Sequence, residues 1–143
     1  DCDQLDFHKE VEKTFKGYEQ KYQLILTKID NNEVAFIGKN YALGIGWSTD
    51  GIDWHYFKLD NSMLCKFSLD NLLNAKLTHI ERDGLFPSKT ICEKIINELI
   101  ICERVFNNHF QELLRGETLS DYGNKEFVSN LEKSIIEREL LTR

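Results

Sequence analysis

The chain predicts an α+β fold: an antiparallel sheet of about four to six strands, built from consecutive hairpins and packed against a long central helix, with N- and C-terminal helices alongside. Three observations carry this. Between residues 23 and 59, β-branched and apolar runs are interrupted by Asp30-Asn31-Asn32 and by Asp50-Gly51, both of them hairpin signals. Residues 88–116 carry one continuous apolar stripe at helical spacing, between a capping residue and a glycine. Shorter stripes of the same period occupy both ends of the chain. A length of 143 residues is that of one domain, 1–143, large enough to bury a core without metal or disulfide support.

From Asp3 to about Tyr22, the residues Phe7, Val11, Phe15, Tyr18 and Tyr22 recur on one face of an amphipathic helix, which Gly17 ends or bends. Gln23–Ile29 and Glu33–Gly38 then form a first hairpin, and Tyr41–Trp47 and Ile52–Leu59 a second. With Asp50-Gly51 as a two-residue turn, Trp47 faces Trp54 and Ile45 faces Tyr56. One face of the sheet then carries both tryptophans with Leu43 and Ile45. The other carries Ala42, Gly44 and Gly46, where a helix approaches closely or the Phe57 ring covers the glycines. Met63–Phe67 reads as a fifth strand, Ser68 to Leu73 as a capped short helix, and Leu77–Glu81 as one more short strand.

Ser88 and the Thr90/Glu93 pair start the central helix, and Gly116 stops it. At about 100° per residue, Ile91, Cys92, Ile95, Ile96, Leu99, Cys102, Phe106, Phe110, Leu113 and Leu114 fill an arc of roughly 140°. That width suits a helix packed on a sheet and touched by a second helix. Glu103 falls inside the arc, so it is a candidate buried functional acid, to be paired or to hold a raised pKa. Asn124–Leu141 places Phe127, Val128, Leu131 and Ile135 on one side, after Ser120 and Asp121 as caps, and is expected to pack beside the central helix.

The cysteines, Cys2, Cys65, Cys92 and Cys102, form no C-x-x-C pair. Cys92 and Cys102 lie about 15 Å apart on one helix, too far to bridge each other. Both read as small core residues; a bridge to Cys2 or Cys65 is open, and a reduced, cytoplasmic protein is the simpler expectation. The chain opens without methionine, which is compatible with a removed upstream segment. No run approaches the roughly 20 apolar residues needed to cross a bilayer, so no membrane role is expected.

A net charge of −6 disfavours nucleic acid as a partner and suits a basic protein. His8, His55, His79 and His109 are scattered, and no phosphate loop, metal-ligand spacing or nucleophile elbow is present. The expectation is therefore no catalytic residue, no metal and no cofactor. Asp50, Asp53 and Asp60, interleaved with Trp54, are the candidate partner-binding residues, the carboxylates steering a basic surface and the indole anchoring it. The alternative is a small enzyme or ligand-binding domain whose pocket lies between sheet and central helix around Glu103, with His55 or His109 as partner. A third is a self-associating module built on an exposed sheet edge.

Ser48-Thr49-Asp50-Gly51-Ile52-Asp53-Trp54 resembles the Asp-box, a hairpin motif of the form S-x-D-G-x-x-W that is repeated in sialidase-type propellers and occurs singly elsewhere. The resemblance implies a carboxylate bonded to turn amides above a packed tryptophan. The single copy excludes a propeller. In size, acidity and lack of catalytic motif the whole chain resembles the bacterial immunity proteins of polymorphic or contact-dependent toxin systems. That resemblance implies an inhibitor that occludes a cognate toxin, such as a basic nuclease.

Overall fold

A computed structural model describes residues 5–85, 87–117 and 125–143. Asp6 caps the first helix, its carboxylate accepting from the Lys9 N–H, and α1 runs Phe7–Thr14. Gly17, at φ +93, breaks the apolar stripe as the sequence implies, and α2 follows at Tyr18–Tyr22. Six antiparallel strands then lie in the order of the chain: β1 Ile25–Lys28, β2 Glu33–Ile37, β3 Tyr41–Ser48, β4 Gly51–Asp60, β5 Met63–Ser68 and β6 Lys125–Glu126. The α+β class and the meander of hairpins stand as read. β6 adds a short edge strand that its composition does not announce.

The β3–β4 register differs from expectation by two residues. Ser48 pairs with Gly51 and Ile45 with Trp54, so the turn is Thr49-Asp50 and Gly51 opens β4 at φ +128. Because the slip is even, every side chain keeps its face. Val34, Phe36, Leu43, Ile45, Trp54, Tyr56 and Phe67 form the inner layer of the main core. α1 and α2 cover it together with α4, Ile91–His109, through Phe7, Val11, Ile95, Leu99 and Phe106. The Trp54 and Phe106 rings stand 4.3 Å apart at their centroids, and burying such aromatic surface dominates a core of this size.

The central helix is shorter than the 88–116 stripe. Thr90, rather than Ser88, is its cap, accepting from the Glu93 N–H at 3.1 Å, while the Glu93 carboxylate returns to the Lys89 N–H. The helix breaks at Phe110 and resumes as α5, Gln111–Leu114, closed by Gly116 at φ +87. Gly116 is required there on two counts: the left-handed backbone, and Tyr41, whose ring lies 2.7 Å from where a Cβ would stand.

The C-terminal segment corrects the expected helix packing. Ser129 caps α6, Asn130–Glu132, which continues through a wide turn, Lys133–Glu137, into α7, Arg138–Thr142. Ile136 and Leu140 pack on Ala35, Ile37, Ala42, Phe57 and Leu64, the sheet face opposite α4. The chain thus forms three layers. The small residues of β2 and β3 explain this placement: Ala35, Ala42 and Gly44 leave room, and the Phe57 ring fills the space above Gly44. In an ordinary helix, residues four apart drift by about 40° around the axis, and a widened turn holds Glu132, Ile136 and Leu140 closer to one line. Phe127, expected on the apolar side, is 84% exposed, and the expected caps Ser120 and Asp121 lie outside the described residues.

Leu77–Glu81 is not a strand. Thr78 and Glu81 cap a single 3-10 turn, His79–Arg82: the Glu81 carboxylate accepts from the Thr78 N–H and hydroxyl, both at 2.7 Å, and Asn108 from the central helix reaches it at 3.1 Å. These donors hold the Glu81 carboxyl well below the usual range, near 2. α3, Asp70–Lys76, precedes the turn and packs on the central helix and on β4. Among the described residues no helix is long and apolar enough to cross a membrane.

Candidate functional site

The chemistry concentrates at the tip of the β3–β4 hairpin. The tip, α3, the 3-10 turn and the middle of α4 enclose an open cleft of about 360 Å³. Asp50, Asp53, Asp70 and Glu98 line it, with Arg82 as the one basic residue among the described lining. The hydrogen bonds that build the tip also place its acids. Glu98 Oε2 accepts from the Ile52 N–H at 3.0 Å, and Asp70 Oδ1 accepts from the Trp54 N–H at 2.9 Å. Gly51 lets the helix come this close, since a Cβ there would stand 2.9 Å from Glu98 Oε2. Two carboxylates are thus fixed on backbone amides, each keeping one oxygen for other use.

Asp53 stands beside Asp70. Burial in the cleft, the Asp70 charge and a shared hydrogen bond raise its carboxyl above the ordinary aspartate range, with His55 working against them. Two neighbouring carboxyl groups form a site with an affinity for cations, because a positive group relieves their repulsion. Cys102 lines the same cleft, and its thiol is pushed up to about 12, chiefly by burial, while the Trp54 indole opposes this. Such a thiol is not a nucleophile at neutral pH.

The four residues read from sequence as one partner-binding surface do not form one. Asp50 and Asp53 reach the cleft. Trp54 is 1% exposed and belongs to the core, so it does not anchor a partner; it faces inward because its strand register matches Ile45. Asp60 is exposed at the far end of β4, next to the tight turn at Asn61-Ser62, about 23 Å of strand from Asp53. Asp70 and Glu98 are the cleft residues that sequence reasoning missed. Asp70 lies within the short helix read at Ser68 to Leu73 and Glu98 on the long central helix, and neither position marks a site by local pattern.

The Asp-box expectation holds in part. The tryptophan packs beneath the hairpin, but it is the Ser48 hydroxyl that accepts the Asp50 N–H, at 3.2 Å, and Glu98 that takes the amide of Ile52. Glu103 is half-buried, as its place in the stripe implies, and the Tyr18 hydroxyl donates to its Oε2 at 2.9 Å. Burial and the neighbouring Glu103 carboxylate raise the Tyr18 phenol above the ordinary tyrosine range. The histidines that would complete a catalytic pair are engaged elsewhere: His55 lies 3.1 Å from Glu126, and His109 lies 3.9 Å from Glu81.

Cys92 is disulfide-bonded, whereas Cys65 and Cys102 are free thiols. This corrects the reading of Cys92 as a reduced core residue: it sits one residue into the central helix, half-buried rather than enclosed. Comparison with family models, with curated proteins and with solved structures finds no match to this chain.

Proposed function

We propose that this is a binding protein, and that the acidic cleft at the hairpin tip receives a lysine or arginine side chain from a basic protein partner. The observation that carries this reading is the cleft itself: four carboxylates against one arginine, two of them already held on backbone amides. A site ordered before binding loses little freedom on binding. An arriving guanidinium or ammonium would be matched in charge at the cleft and steered there by the −6 of the whole chain. In this reading the partner is a bacterial toxin domain and the chain its immunity protein, occluding the toxin's basic surface; the support is the resemblance in size and acidity.

The site of action follows the cysteines. The sequence alone favours a reducing cytoplasm, but the Cys92 disulfide supports an oxidising compartment instead.

Affinity capture at low and at high salt, with mass spectrometry of what is retained, tests the proposal. A single basic protein held at low salt is expected. The Asp53→Lys, Glu98→Gln double variant should weaken its binding at least tenfold, about 1.4 kcal/mol or more, whereas Asp60→Lys should leave it nearly unchanged. Equal retention by the cleft variant would remove the cleft from the interface.

A further inference from the structure

The opposite end of the β3–β4 hairpin has the reverse electrostatic character. A second open cleft, of about 690 Å³, lies between the end of α2, the β2–β3 turn and the end of α5. Lys39, Arg115 and Arg143 line it, and no aspartate or glutamate is among its described lining residues. In a chain of net charge −6 this is a local inversion of sign. None of the three cations has an aspartate or glutamate within ion-pair distance among the described residues, although Lys66, on the other face of the sheet, does.

The walls of this cleft are ordered by contacts that leave its polar groups available. Tyr41 donates its hydroxyl to the Leu114 carbonyl at 2.6 Å and packs edge-on against Gly116. Arg143 donates to the Gln23 carbonyl at 3.1 Å through one terminal nitrogen, which leaves other N–H groups of its fork. The Arg115 guanidinium stands 5.8 Å from the centroid of the Tyr22 ring, within cation–π range. The Tyr22 hydroxyl is buried with no hydrogen-bond partner, and the residue is 6% exposed. An unsatisfied buried hydroxyl costs free energy unless something bonds it.

We propose that this cleft is a binding site for a small-molecule oxyanion, a ligand bearing phosphate or carboxylate groups, held by the Arg115 fork, by Lys39 and Arg143, and by the Tyr22 hydroxyl. The planar guanidinium matches two oxygens of either group. The volume lies in the range of metabolite sites, which points to a ligand larger than a single inorganic ion.

Calorimetric titration of the whole chain with inorganic pyrophosphate and, separately, with citrate tests this, at low ionic strength and at about 0.15 M. Saturable one-to-one binding of at least one of them is expected, weaker at the higher salt. Pyrophosphate alone would assign the site to phosphates, and both together to oxyanions generally. The Lys39→Gln, Arg115→Gln double variant should lose about tenfold or more in affinity, as expected for a charge-assisted pair. These side chains are exposed, and circular dichroism should confirm an unchanged fold. Tyr22→Phe should weaken binding severalfold without lowering the melting temperature, which separates a ligand role from a packing role. Failure of both anions to saturate, or equal binding by the double variant, would overturn the proposal.

Discussion

Replacing Glu33 by glutamine should abolish most of the pH dependence of stability between pH 5 and 8. Glu33 opens β2 on the sheet face that the C-terminal helix covers, and there it meets Glu132. Glu132 is 3% exposed; Lys66 Nζ donates to its two oxygens at 3.1 and 2.8 Å, and the Ser129 N–H donates at 3.0 Å. Burial first, then the hydrogen bond to Glu132 and its charge, push the Glu33 carboxyl up to about 8, with Asp30 adding and Lys66 subtracting. Burial opposes the charge on Glu132, but the bonds from Glu33, Lys66 and Ser129 outweigh it and hold that carboxyl near 2.

The sign follows from proton binding. Between about pH 4.5 and 8 the unfolded chain has released the Glu33 proton while the folded chain keeps it, so stability falls as pH rises through that window. Glu132 contributes in the opposite sense, stabilising above its unfolded value and losing that contribution as pH falls toward 2. At about 1.4 kcal/mol per pH unit the whole Glu33 displacement is worth about 5 kcal/mol, and screening at a half-buried site leaves about 2. Glutamine keeps an N–H donor to Glu132 and cannot ionise.

Urea denaturation followed by tryptophan fluorescence at pH 5, 6.5 and 8 measures this, with groups other than Glu33 cancelling in the difference between variant and parent. The variant should match the parent near pH 5 and exceed it by about 2 kcal/mol at pH 8. Parallel stability curves for the two proteins across the window would refute the retention of the Glu33 proton in the folded chain.

Tyr18→Phe should destabilise by about 1–2 kcal/mol in the same assay, because it strips the donor from a half-buried carboxylate, whereas Glu103→Gln keeps an acceptor and should cost under about 1. A larger loss for Glu103→Gln would mean that its charge, and not its hydrogen bond, matters. Alkylation of the unfolded but unreduced chain, with peptide mapping, should label Cys65 and Cys102 and leave Cys92 unlabelled, and reduction beforehand should add a label at Cys92. A label on Cys92 without reduction would remove the disulfide and restore the cytoplasmic reading.

Local chemistry in the sequence determined the hairpins, the helix caps and which residues face inward. Gly17, Thr90 and Gly116 act within a turn of where they sit, and period-two alternation survives even a two-residue error in the β3–β4 register. Glu103 was legible as an inward acid for the same reason, since helical period alone places it among Leu99 and Phe106. Assembly across the chain was not legible. Glu98 meets Ile52, and Lys66 meets Glu132, across 46 and 66 residues, and periodicity carries no information on which distant element supplies a partner. For the same reason Trp54 and Asp60 looked like neighbours of Asp53 on one surface. Only the tertiary structure decided that one is core and the other a strand's length away, that the C-terminal helix takes the far face of the sheet, and that acids from the hairpin tip, α3 and the central helix gather in one cleft. Those outcomes depend on which apolar faces bury each other, a choice set by the packing of the whole chain.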